Sequence, residues 1–85
     1  MTTFRDAHPA TSTHILIVPN RHIASLNGLT EEDQILAERM FVVARQHASL
    51  EKIDHSGYRL TINTGLHAGQ TVFHLHMHLQ NMGVE

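Results

Sequence analysis

The stretch Phe73-His74-Leu75-His76-Met77-His78-Leu79 sets three histidines at two-residue intervals, with an apolar residue beside each. A β-strand turns successive side chains to opposite faces. As a strand, this segment presents His74, His76 and His78 on one face and Phe73, Leu75, Met77 and Leu79 on the other. The apolar set predicts an anchor in a core, and the imidazoles an open surface. The glycine-bearing turn Gly65-Leu66-His67-Ala68-Gly69-Gln70-Thr71 leads directly into it.

Working outward, Tyr58-Arg59-Leu60-Thr61-Ile62-Asn63 alternates large and polar residues as a half-buried strand does. A short link with two glycines joins it to the histidine strand, expected over Thr71 to Leu79, so the two are expected to pair antiparallel. Thr30-Glu31-Glu32-Asp33 resembles a capping box with Asp33 in place of the usual Glu or Gln. Leu36, Met40, Val43, His47 and Leu50 then form one helical stripe, which predicts a helix from Glu31 to Leu50. Ile15-Leu16-Ile17-Val18 reads as a strand buried on both faces, stopped by Pro19-Asn20, and Asn27-Gly28 marks a turn. Met1 to Asp6 supplies a further short edge strand. The expected fold is α+β, a small, mainly antiparallel sheet with one long helix packed on it, formed as a single domain over residues 1–85.

Composition narrows the function classes. The 85 residues include 41% hydrophobic and 16% charged side chains, which fits a folded globular domain and excludes a disordered one. A domain of this length buries only somewhat more than about 60% of its unfolded surface, so association with a second copy is expected. No cysteine is present, which removes disulfides and thiolate zinc sites. No apolar run approaches the roughly 20 residues of a membrane span, and the polar N-terminus has no signal-peptide core. A cytoplasmic protein is the default expectation. The formal charge of −2 offers no footprint for long nucleic acid. The nine histidines are the compositional anomaly.

Three chemistries compete for the histidine strand. The first is a solvated face, which the strict alternation disfavours. The second is zinc: His-x-His on a strand places imidazoles roughly 6.6 Å apart, but His74 and His78 stand roughly 13 Å apart, a span that bonds of about 2.1 Å barely bridge. Such a site would need His14 or His22 as well. The third is nucleophilic catalysis, in which a neutral imidazole attacks phosphorus and water resolves the phosphoramidate. Flanking histidines would then set the tautomer and exchange protons with the leaving group. His76 is the natural nucleophile, because it alone has a histidine on each side. The adjacent loop, with backbone N–H groups near Gly65 and Gly69 and hydroxyls at Thr64 and Thr71, suits phosphate oxygens.

Gly69-Gln70-Thr71-Val72-Phe73-His74-Leu75-His76-Met77-His78-Leu79 resembles the signature of the histidine triad (HIT) superfamily, with Gln80 standing where that pattern ends in an apolar residue. Thr13 to Ile23 resembles the family's strand ending in Pro-x-x-His, and Asp6-Ala7-His8-Pro9 the short segment before it. The resemblance covers about residues 4 to 79 and lies nearer the Hint (nucleoside phosphoramidase) branch. It implies a nucleotide hydrolase or transferase acting at the α-phosphate of a purine nucleoside phosphoramidate or related adenylated compound. It makes His76 the nucleophile, with His74, His78 and His14 completing the catalytic histidines. It also implies that Gln70, Thr71 and Gly69 meet the phosphate or leaving group, Asn63 the phosphate or ribose, and Asp6 the ribose hydroxyls. No cofactor or metal is implied, and the usual assembly is a homodimer. Other members carry further strands before the segment matching Phe4, so part of the base pocket is expected to be missing here. Two rival functions stay open: a nucleotide-binding or dimerisation module with little catalysis, and a zinc-binding histidine surface.

The other histidines carry plainer expectations. His22 is a loop residue, either a supporting partner or a surface histidine. His47 is expected buried or at an interface, while His8, His55 and His67 face solvent.

Overall fold

The computed structural model describes residues 1–5 and 13–81. Asp6 and His8 therefore lie outside the described residues. Four strands and one α-helix follow in order: β1 (Thr2–Arg5), β2 (His14–Val18), α1 (Gln34–Leu50), β3 (Arg59–Thr61) and β4 (Met77–Gln80). The strands form one wholly antiparallel sheet in the order β1-β2-β4-β3. The α+β class with one long helix on a small antiparallel sheet is thus as the sequence predicts. Among the described residues, no helix is long and apolar enough to cross a membrane.

Register decides which side chains meet. Ile15 pairs with Leu79 and Ile17 with Met77, so these four share the face covered by α1. Ile17 and Leu79 are wholly buried, each contributing roughly 1.5–3 kcal/mol of apolar burial. Met40, Ala44 and Ala48 close over them from α1, joined by Ile23, Ile53 and Leu75. The buried row of the helix therefore follows i, i+4, i+8, rather than the wider stripe running to Leu50. Leu50 is 73% exposed. Two alanines in that row let the helix backbone approach the sheet closely, which a count of large apolar residues does not register.

Both ends of the helix are fastened by sequence-specific contacts. At the start, Glu31–Asp33 forms a 3₁₀ turn before α1 begins at Gln34. The backbone N–H of Thr30 donates to Asp33 Oδ2 at 2.9 Å, the reciprocal half of the expected capping box. At the end, Lys52 adopts a left-handed φ of 60°. Lys52 N–H donates to the Ser49 carbonyl at 3.1 Å and Ile53 N–H to the Ala48 carbonyl at 3.0 Å. This is a Schellman closure, with buried Ile53 as its apolar contact.

Two strand expectations are corrected. β2 is buried on one face only: Leu16 and Val18 are half-buried on the side away from the helix. The histidine strand enters the ladder at Met77, not Thr71. Its pairing with β3, which spans only Arg59–Thr61, ends at His78, and its pairing with β2 ends with Ile17 opposite Met77. Leu75 N–H turns instead to the Ile23 carbonyl, 2.6 Å away. Phe73, before that anchor, is 51% exposed and does not join the core.

Candidate active site

The sheet face opposite α1 collects the chemistry. β2 presents His14, Leu16 and Val18 there, and β4 presents His78. Leu16 lies directly across from His78, and His14 across from Gln80, so His14 and His78 are diagonal neighbours. That diagonal is within reach of long side chains. Phe4 of β1 stands opposite Leu16, and Thr61 of β3 opposite His78. The extended segment before β4 keeps the same alternation: Leu75 is buried in the core, while His74 and His76 turn to the open face. A cavity of about 380 Å³ lies over this face, lined by Phe4, Leu16, Val18, Val72, His74 and His76. One apolar wall and one imidazole wall suit a flat ring carrying a polar group.

Hydrogen bonds orient the imidazoles and place the proton on the nitrogens that face carbonyls. His76 Nδ1 lies 2.7 Å from the carbonyl oxygen of His74. A carbonyl only accepts, so Nδ1 carries the proton, and in the neutral ring Nε2 keeps its lone pair. That is the nitrogen a nucleophile needs. The His78 ring stands 4.9 Å from His76, centroid to centroid, at 64°. On its far side, His78 Nδ1 is 2.8 Å from Nε2 of buried His14. His74 Nε2 donates to the Pro19 carbonyl at 3.0 Å. The triad is thus a set of oriented rings whose nitrogens are engaged by the Pro19 and His74 carbonyls and by the neighbouring rings of His14 and His22.

The loop before the triad is braced from within. Gln70 is only 2% exposed. Its Nε2 donates to the carbonyls of Ala24 at 2.8 Å and Val72 at 3.1 Å, and its Oε1 accepts from Gly65 N–H at 2.8 Å. The structure places the Gln70 side chain inside the loop, where these hydrogen bonds set the loop's shape. Asn63 likewise donates through Nδ2 to the Ala68 carbonyl at 2.7 Å. Gly69 has a left-handed φ of 89° that closes a 3₁₀ turn over Leu66–Ala68. Thr71 is exposed just before the cavity wall, whereas Thr64 Oγ1 is buried with no hydrogen-bond partner among the described residues.

Of the residues singled out in the sequence, the structure brings His14, His74, His76 and His78 together on one face. Gly69, Gln70 and Thr71 occupy the adjoining loop, with Asn63 against it, and Asp6 falls outside the described residues. Two contacts had no sequence signal beyond proximity to Pro19. Arg21 forms an ion pair with Asp33, whose side chain is buried, and the Thr30 N–H and Arg21 hold that carboxyl below its usual range. His22 packs edge-on against His74. No group of three or more His, Cys, Asp or Glu among the described residues is arranged to hold a metal ion.

Comparison with known proteins agrees with this geometry. Residues 1–81 match the model of the HIT domain. Over 79 residues the chain is 47% identical to the purine nucleoside phosphoramidase of Escherichia coli (strain K12), covering 93% of this chain and 66% of that protein. The chain thus spans just under two thirds of the length of that relative. Among solved structures, a HIT family hydrolase from Legionella pneumophila Philadelphia 1 superposes with a TM-score of 0.92 at 38% identity, covering 94% of this chain and 71% of that one. A histidine triad protein from Clostridium difficile gives 0.88 at 33% identity, covering 92% and 68%. With the family model matched over residues 1–81 and its fold shared by the solved relatives, the chain belongs to the HIT family.

Proposed function

We propose that this chain is a nucleotide hydrolase or transferase that cleaves at the α-phosphate of a purine nucleoside phosphoramidate or related adenylated compound. The observation that carries the reading is the His76 Nδ1 to His74 carbonyl hydrogen bond, which leaves Nε2 as the free nucleophile in a ring lining the cavity. The phosphoramidase relative supports the substrate class. Nε2 attacks the α-phosphorus, forming an N–P bond as the bond to the leaving amine breaks. His78, with its Nδ1 engaged by His14, supplies the amine's proton through Nε2. Water then attacks phosphorus, giving a proton back to His78 Nε2 as the N–P bond to His76 breaks, and nucleoside monophosphate departs. Phe4, Leu16 and Val18 offer an apolar wall for the base.

Turnover of adenosine phosphoramidate, with His76→Ala in parallel, tests this. We expect wild-type activity to fall by at least about three orders of magnitude in the variant. Intact-mass detection of a nucleotidyl adduct in the wild type alone would identify the intermediate. Activity surviving in His76→Ala would sink the mechanism.

The same reading includes a homodimer. The helix surface leaves Ile35, Phe41 and Leu50 exposed, and the outer edge of β3 has no strand beside it among the described residues. Sedimentation equilibrium should give twice the chain mass, reverting to one with Ile35→Glu and Leu50→Glu combined. A monomeric wild type would remove the dimer.

A further inference from the structure

His22 lies between two fixed neighbours. Arg21 is tied to buried Asp33, and Ile23 is buried with its carbonyl accepting from Leu75 N–H. The loop after β2 therefore holds the His22 ring against the entry to β4. That ring meets His74 edge-on, with centroids 4.8 Å apart at 86° and the two Nδ1 atoms 3.2 Å apart.

The direction of this contact follows from the other side of His74. His74 Nε2 faces the Pro19 carbonyl and must carry a proton. In the neutral ring its Nδ1 then holds the lone pair, and His22 Nδ1–H is the donor. The backbone carbonyl of the same His74 accepts from His76 Nδ1. His74 is therefore a junction: its ring is clamped between Pro19 and His22, and its carbonyl aims the nucleophile.

We infer that His22 is a positioning residue for the reaction, locking the His74 ring and tautomer through Nδ1 and thereby holding the His74 carbonyl that orients His76. The inference rests on the hydrolase reading above. Without His22, His74 Nδ1 faces no donor and the ring is free to change tautomer or rotate, which loosens the aim of Nε2.

The test compares His22→Leu, which removes the donor, with His22→Asn, whose amide nitrogen stands about where Nδ1 does. Because His22 is exposed, neither change opens the core. With adenosine phosphoramidate, kcat should fall about tenfold in His22→Leu with KM unchanged, the low end for an outer partner of a site histidine. His22→Asn should recover most of that loss. Imidazole ¹⁵N spectra of histidine-labelled protein give a readout independent of turnover. His74 should show one Nε2–H tautomer in the wild type and in His22→Asn, and a mixture in His22→Leu. Unchanged kcat in His22→Leu, an equal loss in both variants, or an unaltered His74 tautomer would each overturn the inference. A wild type without turnover would count against the hydrolase reading alone, because the spectra still decide the role of His22.

Discussion

His14 Nε2 and His78 Nδ1 lie 2.8 Å apart although 64 residues separate them in the chain. The pairing comes from register: with Leu16 opposite His78, the two rings fall on one diagonal of the β2–β4 ladder. Buried His14 can thus hold the His78 ring so that its other nitrogen is presented outward.

If His78 protonates the leaving group, its loss should depend on what leaves. His78→Ala is expected to lower kcat by about 10²–10⁴-fold for an amine leaving group. The loss should be much smaller for an aryl phosphodiester whose phenoxide departs without a proton. His14→Ala should cost less than His78→Ala, and the double variant should fall no further than His78→Ala alone. Equal losses with both leaving groups would exclude the acid role.

Asp33 links loop and helix, and it titrates. Its carboxyl lies lower than usual because the Thr30 N–H and Arg21 favour the ionised form. A depressed carboxylate contributes stability that is fully present above its ordinary value of about 3.9 and is lost as pH falls through its lowered native value. Asp33→Asn should therefore unfold at a lower temperature than wild type at neutral pH, with the gap closing below about pH 4. A gap that stays constant into acid would contradict this assignment.

Lys52 offers a test in the stabilising direction. It holds the left-handed position of the Schellman closure, where a side chain costs roughly 1–2 kcal/mol and glycine costs little. Lys52→Gly should raise the thermal midpoint and leave turnover unchanged, since the residue lies at the far end of α1 from His22. A lowered midpoint would show that the Lys52 side chain makes a contact worth more than the backbone relief.

Legibility in the sequence follows the range of the physics. Period-two alternation is local, so the shared face of His74, His76 and His78 could be read from the chain, as could the burial of Leu75, Met77 and Leu79. The extent of the ladder could not, because pairing needs a partner and β3 stops at Thr61. The helix was visible from its start signal and periodicity. Its buried row was displaced, because Ala44 and Ala48 count for little as hydrophobes and much as points of close approach. Gln70 sits in a motif stretch that directs attention to phosphate, yet its hydrogen bonds to Ala24, Val72 and Gly65 depend on how the loop folds back. His22 met His74 across 52 residues of sequence, a distance at which no pattern in one chain assigns partners.

The strand order β1-β2-β4-β3 has a consequence for how the protein is made. β1 and β2 can zip together as soon as both have been synthesised, and α1 can coil behind them. β4 follows the other three strands in the chain, yet it takes an inner place in the sheet and carries His78, with His74 and His76 in the segment just before it. Until it inserts between β2 and β3, a nascent chain has His14 with no His78, an exposed apolar sheet face and an incomplete histidine face. The closing of so long a loop makes this a late, slow step in folding. Assembly of the histidine face and protection from aggregation therefore arrive together, in the same event.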